Sequence, residues 1–222
     1  MVRRRTWWVA GGAVAVLTVG VVAGPLVYAA LEEDAAPAPT VQVQPEDARL
    51  VEQADGTWQV ARGSTAGYRV HEVLNGADVT VAGATDQVSG SVVLAGGDLT
   101  EAQVTVDVAG ITTDRSQRDA YFRNDVMDVG TNPTATFTVT GPVDLPELSG
   151  TPVTVPVAGE LTLAGRTNPV RVDLAVVRTG TGVDVSGSVP VVFGDYGLQA
   201  PSLGFVRVDD RGAVEFLVHL AR

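Results

Sequence analysis

Residues 115–139 read RSQRDAYFRNDVMDVGTNPTATFTV, and here the chain leaves the strand period and then returns to it. Phe122, Val126 and Val129 fall at i, i+4 and i+7, which places them on one face of a helix of about three turns. Arg115, Arg118, Asp119, Arg123 and Asp125 take the other faces. Thr112, Thr113 and Asp114 all carry N-capping side chains, and Ser116 and Asp119 have capping-box spacing. Gly130 can end the helix, and Asn132-Pro133 forces an extended restart into Thr134. The spacing therefore predicts one amphipathic helix inside a strand protein, with an apolar stripe that must cover something.

Outward from this stretch the sequence alternates. Before it, Val104, Val106 and Val108 oppose Gln103, Thr105 and Asp107. After it, Ala135, Phe137 and Val139 oppose a row of Thr. Further runs are Val153 to Leu163, Val170 to Val176, Val183 to Phe193 and Val214 to Leu220, with earlier strands across 57–60, 64–73, 77–82 and 87–94. Pro156 inside its run predicts an edge or a bulge. Turns are read at Asp55-Gly56, Asn75-Gly76, Gly96-Gly97-Asp98, Gly165, Gly180–Gly182 and Asp209–Gly212, with Asn-Gly the strongest hairpin signal. Roughly ten segments with one apolar and one polar face pair as antiparallel strands. They close as a sandwich or as one barrel, and the strand lengths suit a tilted barrel of about eight strands. The chain is 45% hydrophobic but 5% aromatic. A Val-lined interior fills poorly, which favours a cavity, although a packed core satisfies the same periodicity.

The sequence has no Cys, and all its basic side chains are Arg. Disulfides, thiolate metal sites and a Cys nucleophile are thereby excluded. The formal net charge is −11, and three of the 15 basic residues are Arg3, Arg4 and Arg5. The rest of the chain is strongly acidic and repels nucleic acid, so no nucleic-acid partner is expected.

Three segments follow. Residues 1–31 hold the Arg cluster and an uncharged run from Thr6 to Leu31. As a helix that run reaches about 39 Å, against roughly 30 Å of hydrocarbon. Trp7, Trp8 and Tyr28 stand at its ends as interfacial aromatics do, and the charge asymmetry places the N-terminus in the cytoplasm. This reads as a single-pass transmembrane anchor with the rest of the chain extracytoplasmic. The alternative is a signal peptide cut after Val27-Tyr28-Ala29, leaving a secreted protein; the length of the run favours the anchor. Gly20 and Gly24 have GxxxG spacing, through which two anchors can pair as a homodimer, although such spacing is common without that role. Residues 32–54, acidic and rich in Ala and Pro, read as a tether. Residues 55–222 are the β domain.

Several motifs then carry a resemblance. They are Ile111-Thr112-Thr113, Arg118-Asp119-Ala120-Tyr121-Phe122, Asp125-Val126-Met127-Asp128-Val129 and Asn132-Pro133-Thr134-Ala135-Thr136-Phe137. Trp58, Ser64 and Tyr68–Val70, then Val88–Ser91, Gly159–Val170 (GELTLAGRTNPV) and Phe193–Leu198 (FGDYGL) continue the series in order. Together they resemble the YceI-like, polyisoprenoid-binding family over most of residues 57–220. Ala164 and Tyr121 depart from it where relatives often carry His or another polar residue. The resemblance implies an all-β, lipocalin-like antiparallel barrel holding an isoprenoid lipid, a quinone or polyprenyl type, as its ligand, with no other cofactor. The inward stripes give the candidate lining: Val106, Val108, Phe137, Val139, Val157, Leu161, Leu163, Val172, Leu174, Val191, Phe193, Phe216 and Val218, with Phe122 and Val126 from the helix. Each taken singly reads first as core packing; the expectation concerns the set.

Catalytic chemistry is not signalled. His71 and His219 are the two His, too few for a zinc site without Cys, and no nucleophile elbow, P-loop or Gly-rich nucleotide fingerprint appears. The expectation is a lipid-binding protein and not an enzyme. The alternative is a surface-displayed interaction module with a packed core, working through an outer loop such as Asp195–Gly204.

Overall fold

The computed structural model describes residues 34–51, 55–74, 76–202, 204 and 206–222. Among them eleven strands form: β1 (Gly56–Val60), β2 (Thr65–Leu74), β3 (Ala77–Thr85), β4 (Val88–Ala95), β5 (Asp98–Asp107), β6 (Thr134–Val139), β7 (Val143–Asp144), β8 (Val153–Leu163), β9 (Arg166–Arg178), β10 (Gly182–Val192) and β11 (Val206–Ala221). Neighbours run β1-β4-β5-β6-β8-β9-β10-β11. The circuit closes where Gln59 and Val60 of β1 face Ala221 and Leu220 of β11. The result is the expected barrel of eight antiparallel strands.

The first part of β11 pairs instead with β2, Val206 facing Leu74 and Leu217 facing Thr65. The β2–β3 hairpin thus continues the wall toward the barrel end at which β5, β8 and β10 finish. Its Leu74 faces Ala77 as the Asn75-Gly76 signal requires; Asn75 lies outside the described residues. Pro156 sits where β8 pairs only with β9, since β6 reaches no further than Gly159.

Two local expectations change. Asp209–Gly212 is a bulge inside β11 and not a turn: the register shifts between Val208 and Gly212. β2 pairs with β11 on both sides of it, and β10 pairing reaches Arg211 opposite Val192. The helix is shorter than three α-turns. Helix α1 (Ser116–Tyr121) passes into a π-turn over Phe122–Val126, and the Met127 N–H donates to the Phe122 carbonyl at 2.9 Å. The capping also differs. Arg115 is the N-cap and supplies no side-chain cap. Asp119, buried, accepts from the Thr113 N–H at 2.8 Å and from the Thr113 hydroxyl at 2.7 Å. The carboxylate still reaches back to a free N–H, but two residues earlier than the cap.

Residues 34–51, read in sequence as tether, lie as a strap along the outer wall. The Thr80 N–H donates to the Asp34 carboxylate at 2.8 Å, and the Ala35 N–H to the Thr80 carbonyl at 2.9 Å. The Arg69 guanidinium donates to the Ala36 carbonyl at 2.7 Å. Further on, the N–H groups of Val41, Gln44 and Val51 donate to Ser186 Oγ, the Gly150 carbonyl and the Thr179 carbonyl. Buried Val41 and buried Ser186 on the outer face of β10 follow from this cover.

One end of the bore is packed solid. Trp58, fully buried, joins Leu94, Leu99, Val155, Val183 and Leu220 there, with the Arg222 guanidinium 4.5 Å over its ring. Above this floor two Phe rings lie flat against glycine. A Cβ on Gly159 would fall 2.5 Å from the Phe137 ring, and one on Gly187 2.7 Å from Phe216. Glycine at these two positions lets an aromatic ring cross the wall and fill the bore.

Candidate functional site: a capped apolar cavity

At the other end the bore stays open. A cavity of about 630 Å³ lies between the strand ends and the helix, within the range of small-molecule sites. Its walls are Val106 and Val108, Ala135, Leu163 and Val191, with Tyr68, Val70 and Glu72 from β2 and Val206, Val208 and Val214 from β11. One lip is the helix, through Gln117, Arg118, Tyr121, Phe122, Val126 and Met127. The opposite lip is the segment after β10, through Phe193, Leu198, Gln199 and Pro201.

The π-turn shapes the first lip. One extra residue in the turn rotates Met127 inward beside Phe122 and Val126, and Met127 is buried. Single π-turns inside helices occur often at functional sites. Phe122 stacks on Tyr68, with centroids 4.7 Å apart and 23° between planes.

The lining has one polar pole. Glu72 is buried on the inner face of β2, with Arg118 Nη2 3.7 Å from its carboxylate. Arg118 also pairs with Asp114 one turn earlier. The Tyr68 phenol lies in the same wall, and burial pushes its pKa up to about 12, with Arg118 opposing and Asp119 and Glu72 adding. Tyr68 is thus a neutral hydrogen-bonding group at any physiological pH. Among the described residues no cluster of three or more His, Asp or Glu could hold a metal ion.

Seven of the sequence candidates line this cavity: Val106, Val108, Phe122, Val126, Leu163, Val191 and Phe193. The other eight do not. Val157, Leu161, Val172, Leu174 and Val218 are buried in the packed half, with Phe137, Val139 and Phe216 partly buried against it. They point inward as expected but sit at depths that the Phe rings and their neighbours fill. Val129, the third residue of the helical stripe, packs on the core outside the lining. Sequence reasoning missed Glu72, although it continues the Tyr68 and Val70 face by one further step of two residues. It also missed Met127, for which the helical period gave no signal.

An antiparallel barrel closed at one end, with an apolar bore and a helical lip at the other, is the architecture of small-ligand-binding barrels. Residues 58–220 match the YceI-like domain, and the chain belongs to that family. A UPF0312 protein of Pseudomonas paraeruginosa is 29% identical over 104 residues, 44% of this chain and 51% of that relative. The aligned stretch therefore spans about half the length of the curated relative. Two solved structures share the fold. A polyisoprenoid binding domain from Saccharophagus degradans, implicated in plant cell wall breakdown, is 19% identical over 74% of this chain and 97% of its own, with a TM-score of 0.58. BcnA of Burkholderia cenocepacia is 22% identical over 72% of this chain and 96% of its own, also with a TM-score of 0.58.

Proposed function

We propose that this protein is a membrane-anchored, extracytoplasmic carrier of an isoprenoid lipid, with the tail in the cavity and a neutral head, quinone or polyprenol, at the Tyr68–Glu72–Arg118 pole. One observation carries the reading: a mainly apolar cavity whose charged lining residues, Glu72 and Arg118, are gathered at one place, left open where the rest of the bore is packed. Each methylene moved from water into such a site contributes about 0.8 kcal/mol, without directional contacts. Membership of the YceI-like family and the polyisoprenoid-binding name of the Saccharophagus domain support the ligand class. The anchor rests on the uncharged run Thr6–Leu31, which lies outside the described residues; among the described residues no helix is long and apolar enough to cross a membrane. Lipid extraction and mass spectrometry of the purified chain test the proposal. A copurifying quinone or polyprenol, at close to one per chain, is expected. A cavity that is reproducibly empty, and that takes up neither lipid when offered, refutes it.

A further inference from the structure

We infer that the strap fixes the barrel with its open end against the bilayer that holds the chain's own apolar segment, so that the lipid surface is the docking partner of the cavity rim. The inference rests on reading Thr6–Leu31 as a membrane span and concerns what that reading leaves open, namely which end of the barrel faces the lipid.

Orientation follows from where the strap begins. Its first contacts, Asp34 and Ala35 with Thr80, lie on β3 three residues from the β2–β3 turn. Thr80 faces His71, the neighbour of the cavity residue Glu72. The strap then descends the outer wall past Ser186 and reaches the closed end at Thr179, beside the β9–β10 turn. The chain therefore enters the fold at the open end. Only Glu32 and Glu33 separate Leu31 from Asp34. Three residue steps span at most about 11 Å, too little for the chain to pass around the barrel and present the closed end.

The rim suits this placement. The exposed large apolar side chains among the described residues are Val43, Tyr121 and Val192. Tyr121 belongs to the helical lip, and Val192 ends β10 at the open end. The domain is acidic and is repelled from anionic headgroups at long range. Free approach is thus unfavourable, and a short tether supplies the local concentration that diffusion does not.

The absence of Cys in the sequence makes single-label experiments direct. Val192→Cys marks the rim and Thr181→Cys the closed end, about 25 Å apart along the axis for strands of this length and tilt. Each full-length variant is labelled with a fluorophore and reconstituted in phosphatidylcholine vesicles containing a headgroup nitroxide lipid. The Val192 label is expected to lose most of its emission and the Thr181 label none. Inserting a Gly/Ser linker of about twenty residues between Glu33 and Asp34, about 25 Å in root-mean-square span, should restore emission at Val192. Equal quenching of both labels, quenching at neither, or quenching unchanged by the linker overturns the orientation while leaving the anchor intact. A chain that fails to float with the vesicles overturns the anchor and the orientation together.

Discussion

Ala135→Phe separates a cavity from a packed core by the sign of its effect on stability. Ala135 is buried on the inner face of β6 opposite Val106, and its methyl group faces the open part of the bore. In a close-packed core the added ring would force side chains off their rotamers and cost about 1–3 kcal/mol. Here about 630 Å³ of space stands in front of it. Burying a Phe side chain contributes about 1.5–3 kcal/mol, of which lost rotamer freedom removes roughly 1 kcal/mol. The variant should therefore be more stable by about 1 kcal/mol, which for a domain of this size raises Tm by about 2–4 °C. The strand preference of Phe acts in the same direction.

The assay is urea unfolding of wild type and variant after both have been stripped of lipid, because bound lipid would stabilise the wild type alone. In parallel, lipid per mole of protein is measured before stripping and should fall in the variant, whose ring occupies space the tail needs. A loss of more than about 1 kcal/mol with lipid content unchanged would refute the reasoning and return Ala135 to ordinary core.

Tyr68 predicts an alkaline signature. Burial raises the phenol from 10.0 to about 12, so between those values the folded state holds a proton that the unfolded state releases, and stability falls as pH rises through that window. No Lys is present to titrate there, and Tyr68→Phe should flatten the pH dependence of the urea midpoint between pH 10 and 12 relative to wild type. Ala164 and Gly165 turn β8 into β9 with φ of +46° and +74°, a two-residue hairpin in which Asn suits the first position. Ala164→Asn should stabilise the fold by about 1 kcal/mol, read as a rise in Tm. Trp58→Ala should cost about 3–5 kcal/mol at the fully buried floor. It should leave lipid affinity measured at low temperature close to wild type, since Trp58 does not line the cavity.

The strands and the barrel were legible because alternation with period two is local. Val153 to Leu163 displays its inner face without reference to any partner. Depth is not local. Leu161 and Leu163 share that face, yet Leu161 meets the ring of Phe137 across the sheet while Leu163 borders open space. What separates them is the Phe137–Gly159 approach, a contact between strands that no single run displays. The π-turn was hidden for a related reason: Phe122, Val126 and Val129 fit an ideal helix, and only the packed position of Met127 reveals the extra residue. The strap was hidden by composition. Acidic, Pro-containing sequence reads as solvated chain, but it is attached by backbone groups of Ala35, Ala36, Val41, Gln44 and Val51 and by the Asp34 carboxylate, to partners far away in sequence such as Thr80 and Ser186. Asp209–Gly212 has turn composition, yet β2 pairs with β11 both before and after it, so the chain continues as one strand through a bulge.

Under the proposed function, the polar pole would set the kind of head that the cavity accepts. Among the described residues Arg118 is the one cation in its lining, and it stands between Glu72 and Asp114, with Asp119 on the next residue. Its charge is already balanced, so the pole presents no net positive field. A diphosphate head would bring further negative charge beside Glu72 in a partly desolvated site, where like charges repel more strongly than in water. It would also have to displace Arg118 from partners that hold the helix over the bore. A carbonyl or hydroxyl head asks for less: it needs a donor or an acceptor, and Tyr68, kept neutral by burial, supplies both. The same Tyr68 ring carries Phe122 on its face. The group that would meet the lipid head is therefore also the group on which the helical lip rests, and filling the pole would tighten the lip by the same contact.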